Sequence, residues 1–384
     1  MRALSLLPCR FWGGPEKQTL RLSTWLRDHA AVETVIAVMP TDAASVDDNP
    51  LLLRARAAGF EVIPFVQKRR YDLLEGVRVL RQLVARYRPD VVCATGYKAD
   101  VLAAWLADTP SVATLRGWTA QDAKVRLFEW LDRRTLRRHD SVIVVSNTLR
   151  EAAIRAGAAP ERVFWVPNAI DPDQLPPPRL REDLCREIGA DPGQPLVGAV
   201  GRLSPEKGHR VLIEAFAHLR SRLPGACLAI AGDGPDEASL RRQVEALGLS
   251  GHVTFMGLRA DGQQIIGALD VMVLPSFSEG MPNVLLEAFA YGTPVVATAV
   301  GGVPDMVSDG RSGWLVPAGD AVQLAAALIE ALENRVEAQR RAAQARKVLA
   351  ANFTVEKQAV AWLRAVDAAV DASSAPRAGS TRSR

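Results

Sequence analysis

Residues 197–209 read Val-Gly-Ala-Val-Gly-Arg-Leu-Ser-Pro-Glu-Lys-Gly-His, and this stretch decides the fold. It contains most of the short apolar run Leu196–Val200, which is typical of a buried strand, and it opens Gly208–Arg222, which has the spacing of an amphipathic helix. A strand that passes through a glycine-containing loop into a helix is the first part of a βαβ unit. The stretch therefore predicts a parallel sheet covered by helices.

The same alternation of strand-like and helix-like segments extends to both sides of this stretch. It runs from residue 3 to residue 166 and resumes from residue 196 to residue 316. Between the two series, residues 171–178 contain four prolines, which neither continue a helix nor lie inside a sheet. We therefore expect two doubly wound, Rossmann-like α/β domains over 1–170 and 179–352, a linker over 171–178, a helix over 353–371 and a disordered tail over 372–384.

The composition excludes several classes of protein. Of the 384 residues, 48% are hydrophobic and 23% are charged, which is ordinary for a globular protein and rules out collagen or wholesale disorder. We find no apolar run long enough to span a membrane, and Pro8 and Arg10 interrupt the first apolar run too early for a signal peptide. The four cysteines are far apart and lie near no histidine cluster, so we expect no disulfide framework, no metal site and a cytoplasmic location.

Positive charge is concentrated in the first half of the chain. Residues 64–138 contain 15 Lys+Arg and 8 Asp+Glu, whereas the formal net charge of the whole chain is only +4. Within them, Lys124–Arg138 mixes apolar and cationic residues at helical spacing. This pattern favours either peripheral contact with the inner face of a membrane or, more commonly, a core-facing helix with a solvated basic face. No nucleic-acid-binding motif accompanies the charge, so we expect no nucleic-acid partner.

The loops after the predicted strands of the second half carry the candidate chemistry. Gly201 is followed by Arg202 and Lys207, two cations before a helix N-terminus that suit a diphosphate, although an ordinary solvated turn is the alternative. Gly232 follows the next strand and permits either a sharp turn or the close approach of a ligand. Because ligands of α/β sheets bind outside the carboxyl ends of the strands, we expect these loops to share one site.

Residues 271–288 are the most informative segment. Glu279 lies in the loop after a predicted strand, and Glu287 lies about a turn and a half inside the next predicted helix. Carboxylates accept hydrogen bonds from sugar or ribose hydroxyls, and backbone amides at a helix start suit phosphate or sugar oxygens. The alternative is that Glu279 is a helix-start acid and Glu287 a solvated helix residue. The residues at the predicted helix start are Gly280, Met281, Pro282, Asn283 and Val284.

These segments together resemble the family 4 retaining glycosyltransferases, which have the GT-B fold. The stretch Glu279–Glu287 is similar to the E-x7-E motif of that family, and Gly201–Gly208 is similar to the segment after the first strand of its donor domain. The resemblance extends from the glycine pair at 13–14 to the glycine-rich segment at 301–305. It implies an acceptor-side domain and a nucleotide-sugar-binding domain that face a central cleft, with the final helix crossing back to the first domain.

The resemblance also implies roles for individual residues. Arg202 and Lys207 would hold the donor diphosphate and stabilise the leaving nucleotide. Glu287 would bind the ribose hydroxyls, and Glu279 would contact the transferred sugar. The backbone at Gly14, Gly201, Gly232 and residues 280–284 would complete the donor site.

One position departs from the family pattern. The family usually has a histidine after a strand of the acceptor domain, where it contacts the donor sugar, whereas this sequence has Arg116. Arginine cannot act as a base, but it binds hydroxyls and phosphates, so we include Arg116 among the catalytic candidates. We expect no cofactor besides the nucleotide-sugar co-substrate, because fixed cations and amides can stabilise a leaving diphosphate as a metal ion would.

The resulting hypothesis is a retaining glycosyltransferase that moves a sugar from a nucleotide-diphosphate-sugar donor to a hydroxyl of a glycan or lipid-linked acceptor, in polysaccharide or glycolipid assembly. A sugar-nucleotide epimerase of the same fold is one alternative, and product analysis without acceptor distinguishes it. A non-catalytic sugar-binding protein is the other. Export would be expected for such a protein, and the lack of a signal-peptide pattern argues against it.

Overall fold

The computed structural model describes residues 1–9, 12–40, 48–69, 72–106, 108–117 and 123–374. The chain folds into two compact units, each built on one parallel sheet. The first unit comprises Met1–Asn168 and the helix that begins at Val355, and the second comprises Ala169–Thr354. The predicted fold class, two Rossmann-like α/β domains, is confirmed.

The first sheet has seven strands in the order β3-β2-β1-β4-β5-β6-β7, and the second has six in the order β10-β9-β8-β11-β12-β13. All paired strands are parallel. In the first unit the strands are β1 Arg2–Cys9, β2 Glu33–Pro40, β3 Glu61–Pro64, β4 Val91–Thr95, β5 Ser111–Leu115, β6 Ser141–Val144 and β7 Val163–Trp165. In the second they are β8 Leu196–Val200, β9 Cys227–Ala231, β10 Val253–Gly257, β11 Val271–Leu274, β12 Val295–Thr298 and β13 Trp314–Val316.

Helices connect successive strands in both units. In the first unit they are α1 Gly14–Ala30, α2 Pro50–Ala57, α3 Leu73–Tyr87, α4 Tyr97–Ala103, α5 Ala123–Thr135 and α6 Asn147–Arg155. In the second they are α7 Arg181–Ile188, α8 His209–Arg222, α9 Glu237–Ala246, α10 Gly262–Ile266, α11 Asn283–Tyr291, α12 Val303–Met306, α13 Ala321–Glu333 and α14 Arg335–Asn352. The last helix, α15 Val355–Ser374, packs on α1 and on the first sheet.

Both sheets are buried on their two faces, which explains why their strands are continuous apolar runs. In the first unit, Leu4 and Leu80 belong to the apolar cluster on one face, and Trp362 and Val366 of α15 belong to the cluster on the other. In the second unit, Phe216 of α8 is fully buried in one cluster with residues of β8 and β9. Each large apolar side chain buried in this way contributes about 1.5–3 kcal/mol.

The strand order creates a topological switch point in each sheet. The connections reverse direction between β1 and β4 in the first sheet and between β8 and β11 in the second. The loops that leave adjacent strands at such a point diverge, which opens a crevice at the carboxyl ends of the strands. The loops after β8 and β11 are the ones that carry the charged candidates of the second unit.

Residues 171–178, predicted as a proline-rich linker, are fastened to one of the two units. They belong to the second unit, which begins at Ala169. The Tyr291 hydroxyl donates to Pro176 O at 2.7 Å, and Gln264 Nε2 donates to Pro177 O at 3.1 Å. Prolines lack an N–H donor, but their carbonyls still accept hydrogen bonds, so a proline-rich segment can be fastened to a folded surface.

The last helix ends later in the chain than predicted. Helix α15 continues to Ser374, so residues 372–374 of the predicted tail are helical. The packed Ala369 precedes them, and Ala372 has the highest helix propensity, so the helix propagates past its buried part. Residues 375–384 of the predicted tail lie outside the described residues.

Within the described ranges, no helix is long and apolar enough to cross a bilayer. The same part of the chain contains no group of three or more His, Cys, Asp or Glu side chains arranged to hold a metal ion.

Two buried histidines make stability depend on pH. Burial lowers the pKa of both His139 and His209 to about 4, below the ordinary value of 6.5. Between pH 4 and pH 6.5 the unfolded chain binds more protons than the folded chain does. The stability that comes from keeping these histidines neutral is therefore fully present above pH 6.5 and is lost as the pH falls toward 4. We expect the free energy of unfolding to decrease by about 2 kcal/mol per histidine between pH 7 and pH 5, measured by denaturant titration.

Variants isolate this effect from other titrating groups. His139→Gln and His209→Gln should each flatten the pH dependence between pH 7 and pH 5, whereas His29→Gln, at an exposed position, should leave it unchanged. We compare the slopes of unfolding free energy against pH because the buried Asp100 carboxyl acts in the opposite sense. Burial and the neighbouring Asp132 carboxyl raise the pKa of Asp100. Wild-type slopes in both buried-histidine variants would contradict this explanation.

Candidate functional site

The loops at the switch point of the second sheet place Lys207 beside Glu279. Lys207 Nζ donates to Glu279 Oε1 at 2.8 Å, and Ser276 Oγ donates to the same oxygen at 2.6 Å. The Glu279 side chain is only 6% exposed, whereas that of Lys207 is 27% exposed. The result is an ion pair whose carboxylate is anchored inside the unit and whose ammonium reaches solvent.

A backbone hydrogen bond holds these two loops together. Pro205–Lys207 form a single 3₁₀ turn, which ends the loop after β8. Phe277 N, in the loop after β11, donates to Glu206 O at 2.8 Å. Because this bond joins the residue beside Lys207 to a residue two positions before Glu279, the ion pair is set by the backbone as well as by the side chains.

Gly201 and Gly232 lie where the loops after β8 and β9 touch. The φ angle of Gly232 is +146°, and a Cβ atom at this position would overlap the carbonyl oxygen of Gly201. Gly232 is therefore required for the contact between the two loops. A Cβ atom at Gly201 would meet nothing within 4 Å among the described residues, so Gly201 leaves open space at the carboxyl end of β8.

The predicted segment 280–284 contains the start of α11. The helix begins at Asn283, and the side chain of its N-cap residue Pro282 accepts no hydrogen bond from the first turn. Met281 is 5% exposed, whereas Gly280 and Val284 are partly exposed. The amides of a first helical turn have no carbonyl partner within the helix, and the helix dipole favours an anion there.

Glu287 is buried in the interior of α11. It is 5% exposed, and Gln263 Nε2 of α10 donates to its Oε1 at 2.6 Å. The interpretation of Glu287 as a solvated helix residue is therefore wrong. A buried carboxylate needs hydrogen-bond donors, and Gln263 supplies one.

Arg202 lies apart from the ion pair. Its side chain is exposed and makes no hydrogen bond or ion pair to any of the residues that the structure describes. It occupies the same loop as Lys207, five positions earlier. The second unit thus joins Lys207 to Glu279 directly and leaves Arg202 as a solvent-exposed cation in the same loop.

Gly14 and Arg116 belong to the first unit. Gly14 is the first residue of α1, and the preceding Gly13 donates its N–H to Glu16 Oε2 at 3.1 Å. Glu16 is 6% exposed, and burial raises the pKa of its carboxyl. The start of α1 is therefore fixed by a carboxylate of its own first turn.

Arg116 follows β5 and is held by the side chain of Asn168. Arg116 Nη1 donates to Asn168 Oδ1 at 3.0 Å. Burial lowers the pKa of Arg116 to about 10, and the carboxyls of Glu16 and Asp100 oppose this shift. The guanidinium therefore stays charged at neutral pH.

The sequence prediction missed four partners of these residues. Ser276 lies three positions before Glu279, inside the segment that was considered most informative, so a signal was present. Gln263 lies in the five-residue helix α10, which is too short to show a periodicity. Glu16 contacts Gly13 through a capping arrangement three residues long, so a local signal was present there too. Asn168 meets Arg116 only through the tertiary fold, 52 positions along the chain, and no local pattern marks it.

Both halves of the chain match models of glycosyltransferase families. Residues 12–174 match the model described as Glycosyltransferase Family 4, and residues 181–348 match the model described as Glycosyl transferases group 1. The 2-deoxystreptamine N-acetyl-D-glucosaminyltransferase of Streptomyces fradiae is 39% identical over 155 residues, which are 39% of this chain and 37% of that protein. The alpha-maltose-1-phosphate synthase of Mycolicibacterium smegmatis is 33% identical over 265 residues, which are 62% of this chain and 66% of that protein.

Solved structures have the same fold. The crystal structure of Anabaena HepE in complex with UDP superposes with a TM-score of 0.82 at 24% sequence identity, and it covers 96% of this chain and 100% of its own. The curated relatives are matched over less than two thirds of their own length, at 37% and 66%.

Proposed function

We propose that this chain, which belongs to the glycosyltransferase families that its two halves match, transfers a sugar from a nucleotide-diphosphate-sugar donor to an acceptor hydroxyl. The observation that carries the proposal is the Lys207–Glu279 pair, with 2.8 Å between Nζ and Oε1, at the switch point of the second sheet. A cation and a hydrogen-bond acceptor at this distance suit a donor that carries a diphosphate next to a sugar.

The negative charge that builds up on the leaving diphosphate is the main electrostatic problem of such a reaction. The Lys207 ammonium has three N–H donors, of which Glu279 takes one, so two can reach phosphate oxygens. Arg202 is a second, exposed cation in the same loop, and the first turn of α11 adds oriented amides. Fixed donors of this kind stabilise developing charge without reorganisation. We therefore propose that the reaction uses no metal cofactor.

The two glutamates are suited to hold hydroxyl groups of the donor. Glu279 accepts from Lys207 and Ser276 through Oε1, which leaves acceptor capacity on its second oxygen for the transferred sugar. Glu287 lies one helical turn inside α11, and we assign it to the ribose hydroxyls. By resemblance to family 4, transfer would retain the anomeric configuration and serve polysaccharide or glycolipid assembly.

A donor screen tests the proposal. UDP-, GDP- and ADP-sugars are incubated with the full chain, and nucleotide release is measured with and without candidate acceptors. We expect one donor class to be consumed and acceptor to accelerate its turnover. Unchanged turnover in both Lys207→Ala and Glu279→Ala would contradict the assignment of this pair to the donor site. Isomerisation of the donor sugar without acceptor would establish the epimerase alternative.

We further propose that a basic face of the first unit contacts an anionic membrane surface. Between residues 126 and 138, the exposed side chains include Leu127, Trp130 and five arginines, whereas both acids, Glu129 and Asp132, are buried at 2% and 1% exposure. Trp105, two residues after α4, is 48% exposed, and the Arg138 guanidinium lies 4.2 Å from the centre of its ring. Exposed tryptophans among cations suit the interface of a membrane that contains anionic lipids.

Vesicle co-sedimentation tests this surface. We expect binding to phosphatidylglycerol vesicles, little binding to phosphatidylcholine vesicles, and loss of binding as salt is raised. Replacing Arg134, Arg137 and Arg138 with alanine should reduce binding about tenfold or more, since each cation near such a surface contributes about 1 kcal/mol. The matched control replaces the exposed Arg150, Arg155 and Arg162 of the same unit. Equal losses in the two triple variants would contradict the proposal.

A further inference from the structure

The first unit contains a pocket about half of whose lining is polar. It has a volume of about 50 Å³ and lies between the first sheet and the helices α1 and α15. Its apolar lining includes Leu26 and Trp362. Eight neutral polar residues, each less than 10% exposed, line the rest: Ser5, Thr19, Ser23, Thr34, Thr95, Thr114, Asn168 and Gln358. Arg116 also lines it.

Such a lining is unusual for the interface between a parallel sheet and its helices. The buried residues of α1 are Glu16, Gln18, Thr19, Ser23 and Leu26, so only one of five is apolar. Elsewhere on the same sheet face, α15 packs with alanine, valine and tryptophan side chains. Buried hydroxyls and amides lower stability unless they are hydrogen-bonded, so the polar groups around the pocket require partners.

Two of these residues have a buried atom without a partner among the described residues. They are Gln358 at Oε1 and Arg116 at Nε. The orientation of the Gln358 amide is fixed, because its Nε2 donates to Pro167 O at 2.7 Å and to Gln18 Oε1 at 3.1 Å. A backbone carbonyl only accepts, so the atom left over is the amide oxygen, which also only accepts.

The two unpartnered atoms require different hydrogen-bonding groups from the molecule that occupies the pocket. Gln358 Oε1 needs a donor, and Arg116 Nε needs an acceptor. An anion would suit Arg116 but would oppose the amide oxygen, and a cation would do the reverse. A hydroxyl group both donates and accepts, as do the serine and threonine hydroxyls of the lining.

We propose that this pocket is a binding site for O–H groups, supplied either by ordered water or by a small polyol, with Gln358 Oε1 and Arg116 Nε as its recognition atoms. A volume of about 50 Å³ accommodates about three to four water-sized groups, so ordered water fills the pocket as it stands. Glycerol and erythritol have six and eight non-hydrogen atoms, so a polyol of this kind enters only if the pocket widens. The inference does not depend on the proposed transferase activity.

Crystallography of the full chain tests the occupant directly. Crystals grown without polyol should have ordered oxygen density within hydrogen-bond distance of both Gln358 Oε1 and Arg116 Nε. Crystals soaked in erythritol distinguish the two sources. Unchanged water density assigns the site to water, and erythritol density assigns it to a polyol. Both outcomes support the proposal. A collapsed pocket, a pocket without density, or an anion bound to Arg116 with Oε1 still unpartnered would overturn it.

Solution binding provides a second test if erythritol enters the crystals. Gln358→Met removes both the donor and the acceptor, and we expect it to weaken erythritol binding, measured by calorimetry, about tenfold or more. Gln323→Met, at an exposed glutamine of α13, is the matched control and should bind erythritol with the affinity of the wild type. Equal affinities of wild type and Gln358→Met would contradict the assignment of Gln358 as a recognition residue.

Discussion

Lys207→Ala should lower kcat/KM for the nucleotide-sugar donor by about 10²–10³-fold. Lys207 is the cation that the fold holds against Glu279, and we propose that its two remaining N–H groups bind the donor diphosphate. Because charge on the diphosphate grows as the bond to the sugar breaks, most of the loss should appear in kcat rather than in KM. Steady-state nucleotide release with the donor identified by screening measures both constants.

A second consequence concerns the carboxylate that the substitution leaves behind. The Glu279 side chain is 6% exposed, and in Lys207→Ala it loses its cation and keeps the Ser276 hydroxyl. Part of the loss of activity would then come from displacement of Glu279. The double variant Lys207→Ala/Glu279→Ala separates these contributions, because residues that act as one unit give losses far smaller than the product of the single losses.

The control for Lys207 is an exposed cation on the next helix. Arg210→Ala removes one positive charge three residues later in the chain, at an exposed position of α8. It should change kcat/KM less than about threefold, since an exposed charge is screened by solvent and salt. If Lys207→Ala has wild-type kcat and an unchanged melting temperature, Lys207 has no role in stabilising the leaving group.

The strands of both units were predictable because each parallel sheet is buried on both faces. The predicted bounds of Leu196–Val200 are those of the structure, because a short run of apolar residues between loops is buried most completely as a central strand. The short helices α10 and α12 were missed, because four or five residues form barely one turn and show no repeat.

The candidate site was predictable as a set of residues but not as an arrangement. Lys207 and Glu279 are 72 positions apart, and their contact depends on the pairing of β8 with β11, which the order of strands along the chain does not specify. The alternation of strand-like and helix-like segments likewise predicted helices in the first unit without indicating that the buried face of α1 is polar. Periodicity indicates which face of a helix points inward, but only the tertiary structure shows which residues that face contacts.

Gly301→Ala should destabilise the second unit and reduce turnover together. The φ angle of Gly301 is +53°, and a Cβ atom at this position would overlap the carbonyl oxygen of Glu279. The left-handed backbone alone costs alanine about 1–2 kcal/mol. The overlap forces the Glu279 loop to shift, so we expect a total loss of about 2–4 kcal/mol in the free energy of unfolding. A shift of this kind also moves the carboxylate away from Lys207, so we expect donor turnover to fall at least tenfold.

Gly310→Ala isolates the contribution of the overlap. Gly310 has a φ angle of +69°, and a Cβ atom there would meet nothing within 4 Å among the described residues. This variant carries the same backbone strain without the steric conflict, so it should lose only about 1–2 kcal/mol and retain wild-type turnover. Denaturant titration and nucleotide release are measured on both variants. If Gly301→Ala and Gly310→Ala lose the same stability and keep the same turnover, the position of Glu279 does not depend on its contact with Gly301.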